Sequence, residues 1–347
     1  MHAPARFIRA ATLVLALMAS SLAAVASAVA ENRQYILATA TTGGTYYPVG
    51  VAIATLSKIR LEPTQGFSLS AISSAGSGEN IKLLRDDEAQ FAILQGLYGA
   101  WAANGTGQLG NDGPQENVRS ISMLWRNVEH FVLRNSDADT GTITDLKELG
   151  EPFSMGKRNS GSEGSAKHIL AALGIEPGTD FDVINLGYGP SADAMQDGKA
   201  AGMNTPAGVP VSAVTRAFAA ANGDLVVLSF TEDNTSAINA ALGKGTELWS
   251  AFEIPADTYP GQTKAAQTIA QPNFLAVNAD ISDDDVYALT KALYENLPFL
   301  NSIHAATKDM SLDSAIVGLP VPLHPGAARY YEEVGLTVPD RLKPLSE

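Results

Sequence analysis

Thr41-Thr42-Gly43-Gly44-Thr45-Tyr46-Tyr47-Pro48 combines hydroxyls, adjacent glycines and a helix-starting proline directly after the apolar run Tyr35–Ala40. The run reads as a strand. Pro48 suits a first helical turn, Thr45 can cap, and Val49, Ile53, Leu56 and Ile59 follow at helical spacing. Glycines permit a turn that exposes consecutive N–H groups, and the helix dipole adds partial positive charge there. A strand, glycine turn and helix start can therefore seat a carboxylate or phosphate. The same residues serve equally as an ordinary turn whose glycines meet only geometry. Convergence with other parts of the chain has to decide.

Two further stretches repeat this order. Phe67–Ile72 alternates like a strand and leads through Ser73-Ser74-Ala75-Gly76-Ser77-Gly78-Glu79-Asn80 to Ile81, Leu83 and Leu84. Phe153–Gly156 leads through Lys157-Arg158-Asn159-Ser160-Gly161-Ser162-Glu163-Gly164-Ser165 to a helix with Ile169, Leu170 and Leu173. Glu163, in a first turn, suits a cap or dipole partner, a contact to a ligand amine, or a general base. Tyr46 and Tyr47, adjacent at a helix start, diverge, one toward a cleft and one toward the core.

Catalytic signatures are missing from the sequence. It has no Gly-x-Ser-x-Gly elbow, no His-Glu-x-x-His, no Walker-type Gly-Lys-Ser/Thr and no Gly-x-Gly-x-x-Gly after a strand. Of the five histidines, His130, His168, His304 and His324 follow the first thirty residues, and none has metal-ligand spacing to another. His324 beside Pro325 reads as ordering a turn and His168 as a helix-surface residue. Asp283-Asp284-Asp285 starts a helix, where acidic residues are expected, so no metal site and no cofactor is expected.

The elements that must position these turns form an α/β series. A third strand, Ala89–Leu94, ends at Gln95-Gly96, and strands alternating with helices imply a mainly parallel sheet. Ile121–Leu133, containing Trp125, Arg126 and His130, is long enough to leave one lobe for the next. The second series includes the strand Phe181–Leu186, a helix begun by Pro190 and Ser191, and the return to strand at Ala200–Met203. Asp224–Phe230 is the candidate return crossing. From Ile254 onward Pro, Gly and long helices suggest a helical cover on the first lobe. The expected division is residues 1–30, 31–133 (first lobe), 134–225 (second lobe) and 226–347 (return and cover). Two crossings would leave a cleft between the lobes, with strand ends and helix N-termini facing it.

Composition sets outer bounds. At 347 residues the chain is too long for one typical core, and 45% hydrophobic with 17% charged residues describes a globular protein. Arg6 and Arg9, the apolar stretch Ala10–Met18 and Ala26-Ser27-Ala28 read as a secretory signal peptide, implying a periplasmic location; the other reading is an uncleaved anchor. Removing that segment, which holds two Arg and no acidic residue, takes the formal charge from −14 to about −16. Nucleic acid and anionic membrane surfaces are thereby excluded as expected partners. The chain has no cysteine and so no disulfide or thiol chemistry.

Thr42–Pro48, Gly78-Glu79-Asn80, Ser160-Gly161-Ser162-Glu163, Ala207-Gly208-Val209-Pro210, Tyr259-Pro260-Gly261-Gln262 and Leu319–Ala327 occur in an order that resembles the TAXI family of solute receptors, which serve tripartite TRAP-type transporters. The resemblance implies a two-lobed, type II periplasmic-binding-protein-like α/β fold, parallel-rich sheets, an interlobe cleft and a monomeric, non-enzymatic receptor. The implied ligand is a small carboxylate or amino acid, glutamate-like or dicarboxylate, passed to TRAP membrane subunits. The alternative is an exported α/β enzyme acting on a small carboxylate. By similarity the pocket takes Gly43, Gly44, Thr45 and Tyr46 from the first lobe with Gln95 nearby, and Ser160, Gly161, Ser162 and Glu163 from the second; Thr42 and Ser77, in the repeated glycine turns, join them as candidates. Three departures mark ligand choice: Lys157-Arg158-Asn159 replaces a small or Pro-containing turn, Arg126-Asn127 replaces Pro and Glu, and Asn204-Thr205 replaces an aromatic pair. With Arg126, Arg158, Asn159 and Asn204 added to the site, a more polar and even dianionic ligand is expected.

Overall fold

The computed structural model describes residues 32–243 and 247–344; the expected signal peptide lies outside them. Among the described residues no helix is long and apolar enough to cross a membrane. In chain order the main elements of the first half are β1 (Arg33–Ala38), α1 (Tyr46–Arg60), β2 (Phe67–Ile72), α2 (Ser77–Arg85), β3 (Phe91–Gln95), α3 (Gly96–Asn104), β4 (Val118–Val128), β5 (Phe131–Arg134), β6 (Pro152–Ser154) and α4 (Gly161–Ala172). There follow β7 (Asp182–Ile184), α5 (Tyr188–Gln196), β8 (Gly202–Asn204), α6 (Ser212–Ala220), β9 (Leu225–Val227), α7 (Glu232–Ala240), β10 (Ser250–Ile254), β11 (Ala266–Asn278), α8 (Asp283–Glu295), α9 (Leu297–Ile303) and α10 (Pro325–Glu333).

These strands make two sheets, one for each lobe. In the first, β2, β1 and β3 run parallel, β11 lies antiparallel to β3, and β4 lies antiparallel on the other edge of β11. β10 covers the N-terminal half of β11. In the second, β7, β6 and β8 run parallel, and β5 joins β8 and β9 antiparallel to both. Each sheet thus has a parallel core, built from βα units, and antiparallel strands beside it.

The central strands β3 and β8 are buried along their whole length, whereas β1 and β2 are only partly buried and the edge strand β7 is largely exposed. Every residue of β3 is buried, and α1 lays Val49, Ile53 and Leu56 against the sheet. In the second lobe Phe131 stacks on Phe153 with ring centroids 6.1 Å apart, and Phe181 meets Phe153 edge-on at 5.4 Å. At about 1.5–3 kcal/mol for each fully buried large apolar side chain, such clusters set the position of the turns that follow the strands.

The chain changes sheet between β4 and β5, at Glu129-His130. β9 pairs with β5, and three residues after its end the amide of Phe230 donates to Gln267 O on β11, 2.8 Å away. β11 itself was not expected: Pro and Gly around it suggested only a helical cover. Pro272, which lacks an amide hydrogen, sits between the last β10 pair at Ala270 and the first β3 pair at Asn273. The helical cover is present too, as α8 and α10 with Tyr287, Tyr294, Tyr330 and Tyr331 interlocked between them. His324 caps α10, its Nδ1 accepting from the Gly326 amide at 3.2 Å. His168 is no plain surface residue: half-buried, it stacks on Trp249 at 5.2 Å.

Candidate functional site

The helices α1, α2, α4 and α5 all begin at the C-terminal ends of parallel strands, and their first turns meet between the lobes. The first lobe contributes Ala40, Thr41, Gly44, Thr45 and Tyr46, then Ala75, Gly76 and Ser77, then Gln95. Opposite them stand Lys157, Ser160, Gly161, Ser162, Gly187, Tyr188 and Pro206. They enclose a cavity of about 30 Å³, against the roughly 10–15 Å³ that a single ordered water needs. The first N–H groups of a helix have no intrahelical acceptor, so four positive helix ends face one small volume. Lys157 brings the one charged side chain of that lining.

Direct bonds hold the walls together. Thr45 does not cap α1 with its side chain; its Oγ1 instead accepts from Gly208 N at 3.1 Å and lies 3.3 Å from Gly208 O. Ser212 Oγ donates to Gly43 O at 2.9 Å, and Glu79 N to Asn159 O at 3.0 Å. Two glycines are required by close approach. Gly76 has φ 121°, open only to glycine without strain, and a Cβ on Gly161 would lie 2.7 Å from the Gln95 side chain.

The polar side chains at the floor are ordered by one another. Tyr46 OH donates to Asn273 Oδ1 at 2.6 Å, and Ser77 Oγ accepts from Gln95 N at 3.1 Å. Ser162 Oγ donates to Tyr188 OH at 3.0 Å, which donates in turn to Pro206 O at 2.5 Å. Burial raises both Tyr46 and Tyr188 far above the usual phenol range, so both remain neutral donors. Gln95 Oε1, Asn204 Oδ1, Thr205 Oγ1 and Asn273 Nδ2 are buried without a hydrogen-bond partner in the protein. Of these residues Gln95 lines the cavity, and a buried acceptor so placed is normally satisfied by a ligand or ordered water.

Among the residues singled out from sequence, Gly44, Thr45, Tyr46, Ser77, Gln95, Ser160, Gly161 and Ser162 line this cavity. The remainder stand elsewhere. Thr42 and Gly43 border an outer groove with Asn185 and Arg216. Asn204 lies behind the wall, its Nδ2 donating to Ser162 O at 3.3 Å. Glu163 turns out of the cleft, accepting from Asn159 N and Lys167 Nζ, both at 2.8 Å.

The two arginines lie outside this lining. Arg126 sits on β4 between inward-facing Trp125 and Asn127, so strand alternation sends it outward. There it pairs with Asp309 at 3.2 Å and covers the ring of Phe252. Arg158 is exposed on a different groove with Lys82, Arg85 and Asp112, as is Asn159, whose φ of 60° turns the chain.

Sequence reasoning passed over Tyr188 and left Lys157 off the list of site residues. The signal for Tyr188 was available: Asn185-Leu186-Gly187-Tyr188-Gly189-Pro190 repeats the strand, glycine and helix order, but α5 starts two residues earlier than Pro190 suggests.

A model of the NMT1-like family matches residues 37–335. A binding protein component of an ABC phosphonate transporter from Pseudomonas aeruginosa is 12% identical over 80% of this chain and 79% of that one, with a TM-score of 0.50. The periplasmic aliphatic sulphonate binding protein of Escherichia coli is 12% identical over 86% and 83%, with a TM-score of 0.43. The likeness to the first of these, joined to the two sheets and their crossings, gives the two-lobed periplasmic-binding-protein fold.

Proposed function

The chain belongs to the NMT1-like family, and from that premise we propose that it is an extracytoplasmic receptor that captures a small carboxylate or amino acid and presents it to a membrane transporter. The observation that carries this reading is the convergence of four helix N-termini and Lys157 on one enclosed cavity between bridged lobes. Backbone N–H groups and helix dipoles receive the anionic end. Lys157 closes the rim above it, and Gln95, Ser162 and Tyr188 orient the remainder. Closure on the ligand follows because contacts from both lobes exist together only in the closed state.

The transporter in this proposal is of the TRAP type, in line with the TAXI-like motifs, and the receptor works as a periplasmic monomer. The lobes divide at Glu129-His130, where the chain changes sheet, and rejoin beyond β9. A dicarboxylate loses the support it drew from Arg126 and Arg158. A second reading, a phosphonate- or sulfonate-like oxyanion, is favoured by the same helix N-termini, which accept planar and tetrahedral anions alike.

A thermal-shift screen of the mature protein over amino acids, 2-oxo acids, dicarboxylates, alkylphosphonates and alkylsulfonates separates these readings. A receptor raises Tm with one class by mass action. Mass spectrometry of the hit after incubation should return it unchanged; an altered molecule would overturn the receptor reading in favour of an exported enzyme.

A further inference from the structure

Beneath the cavity, parity along two adjacent strands builds a polar floor. Trp125 and Asn127 of β4, with Glu129 just beyond its end, fall on one face by alternation, and the residues paired with the first two across β11 are Asn273 and Gln271. All are fully or almost fully buried. Glu129, at the sheet change, is the one ionisable member of this row. Gln271 Nε2 approaches Glu129 Oε1 at 3.5 Å from the first lobe, and Ser165 Oγ approaches Oε2 at 3.3 Å from α4 of the second. Trp249 Nε1 lies 3.5 Å from Oε1, and the Asn204 amide faces the same carboxyl.

Two of these partners hold the ligand walls. Gln271 Oε1 accepts from Leu97 N at 2.8 Å, fixing the turn that carries Gln95. Asn204 Nδ2 donates to Ser162 O in the opposite wall. We propose that Glu129 is a positioning residue that couples capture to closure: a single buried carboxyl, reached from both lobes, that draws the Gln95 and Ser162 walls into register and takes up a proton as the lobes close. This rests on the receptor reading of the cleft.

Complete burial with no cation among its partners favours a protonated carboxyl in the closed form and outweighs the donors from Trp249, Ser165, Gln271 and Asn204, which favour the charged one. The donors stand at 3.3–3.5 Å, longer than the about 2.5–2.9 Å of charge-assisted bonds, so they offset only part of the cost of burying the charge. The other titratable groups around the site are accounted for. Tyr46 of α1 and Tyr188 of α5 are neutral phenols, and His168 of α4 sits against Trp249 with its Nε2 on Ile238 O. His130 points the other way, to Tyr259 OH at 2.7 Å, and Glu163 is paired with Lys167. Burial pushes Glu129 up to about 7, whereas a hydrated glutamate in an opened hinge returns toward its ordinary 4.5. Closure therefore takes up a proton, and acidification from pH 7 toward 4.5 favours it by at most about tenfold per unit. Burial lowers His130 and His168 instead, so exposing them on opening would make acid favour the open form. The sign distinguishes the carboxyl from the imidazoles.

Spin labels at Lys58→Cys on α1 and Lys199→Cys before β8, both exposed and the only thiols in the chain, report the interlobe distance of the ligand-free mature protein. The expected result is a closed fraction that rises from pH 8.5 to 6 in the parent and is high and no longer acid-promoted in Glu129→Gln. A parent profile that is flat or of opposite sign overturns the proposal, and it decides alone should Glu129→Gln fail to fold. The same profile persisting in Glu129→Gln also overturns it. Because no ligand is added, this outcome is independent of the thermal-shift screen that tests the receptor reading.

Discussion

Thr45 and Gly208 are bonded twice, side-chain hydroxyl to backbone amide and carbonyl, at 3.1 and 3.3 Å. The first opens α1 and the second follows β8, so these bonds tie one wall of the cleft to the segment behind the other. Thr45→Val keeps the shape and removes both, leaving two buried backbone groups of Gly208 unpaired. The expected cost is about 1–3 kcal/mol in denaturant unfolding, with far-UV circular dichroism unchanged.

Lys157 should distinguish itself from its neighbour. Lys157→Met is expected to weaken binding of the screen's anionic hit by about tenfold, a modest figure because the ammonium sits at an exposed rim. The loss should shrink as salt is raised. Arg158→Ala and Arg126→Ala should leave affinity unchanged in the same calorimetric titration. Should either arginine variant lose more affinity than Lys157→Met, the assignment of the cavity is wrong.

The contrast among these three cations shows how much of the site could be read without coordinates. Glycine, serine and helical spacing mark where a strand hands over to a helix, and three of the four converging turns were legible on that basis. The side chains between the markers were not. Lys157 and Arg158 are adjacent at a turn with Asn159 at φ 60°; both border an outer groove, and of the two Lys157 alone also lines the cavity. Arg126 was readable in principle from alternation between Trp125 and Asn127, once the segment is taken as a buried strand. β11 was hidden by Pro272, because only the pairing partners on either side show that its missing amide falls between two ladders.

Gly161→Ala tests the close approach of the walls. The new methyl would meet the end of the Gln95 side chain at 2.7 Å, a group able to swing aside, so folding stability should change by less than about 1 kcal/mol. Ligand affinity should fall about tenfold or more, because Gln95 is displaced from the cavity. In a double-mutant cycle with Gln95→Ala the two losses should be strongly non-additive; additive losses would separate Gln95 from Gly161 in function.

Glu129 and His130 are neighbours whose burial moves them in opposite directions, to about 7 and about 4 from ordinary values of 4.5 and 6.5. The folded protein binds more protons than the unfolded chain at Glu129, so that residue adds stability as pH falls from 7 to 4.5. It binds fewer at His130, which removes stability as pH falls from 6.5 to 4. At 1.36 kcal/mol per unit, each is worth roughly 3 kcal/mol, and the two nearly cancel. Urea unfolding across pH 4–8 should therefore expose each in the absence of the other. Relative to the parent, Glu129→Gln should gain stability at pH 8 and lose that advantage progressively toward pH 4.5, leaving a steeper acid decline. His130→Gln should show the reverse slope, gaining on the parent as pH falls below 6.5. Parallel profiles for parent and both variants would mean that neither group changes its protonation on folding.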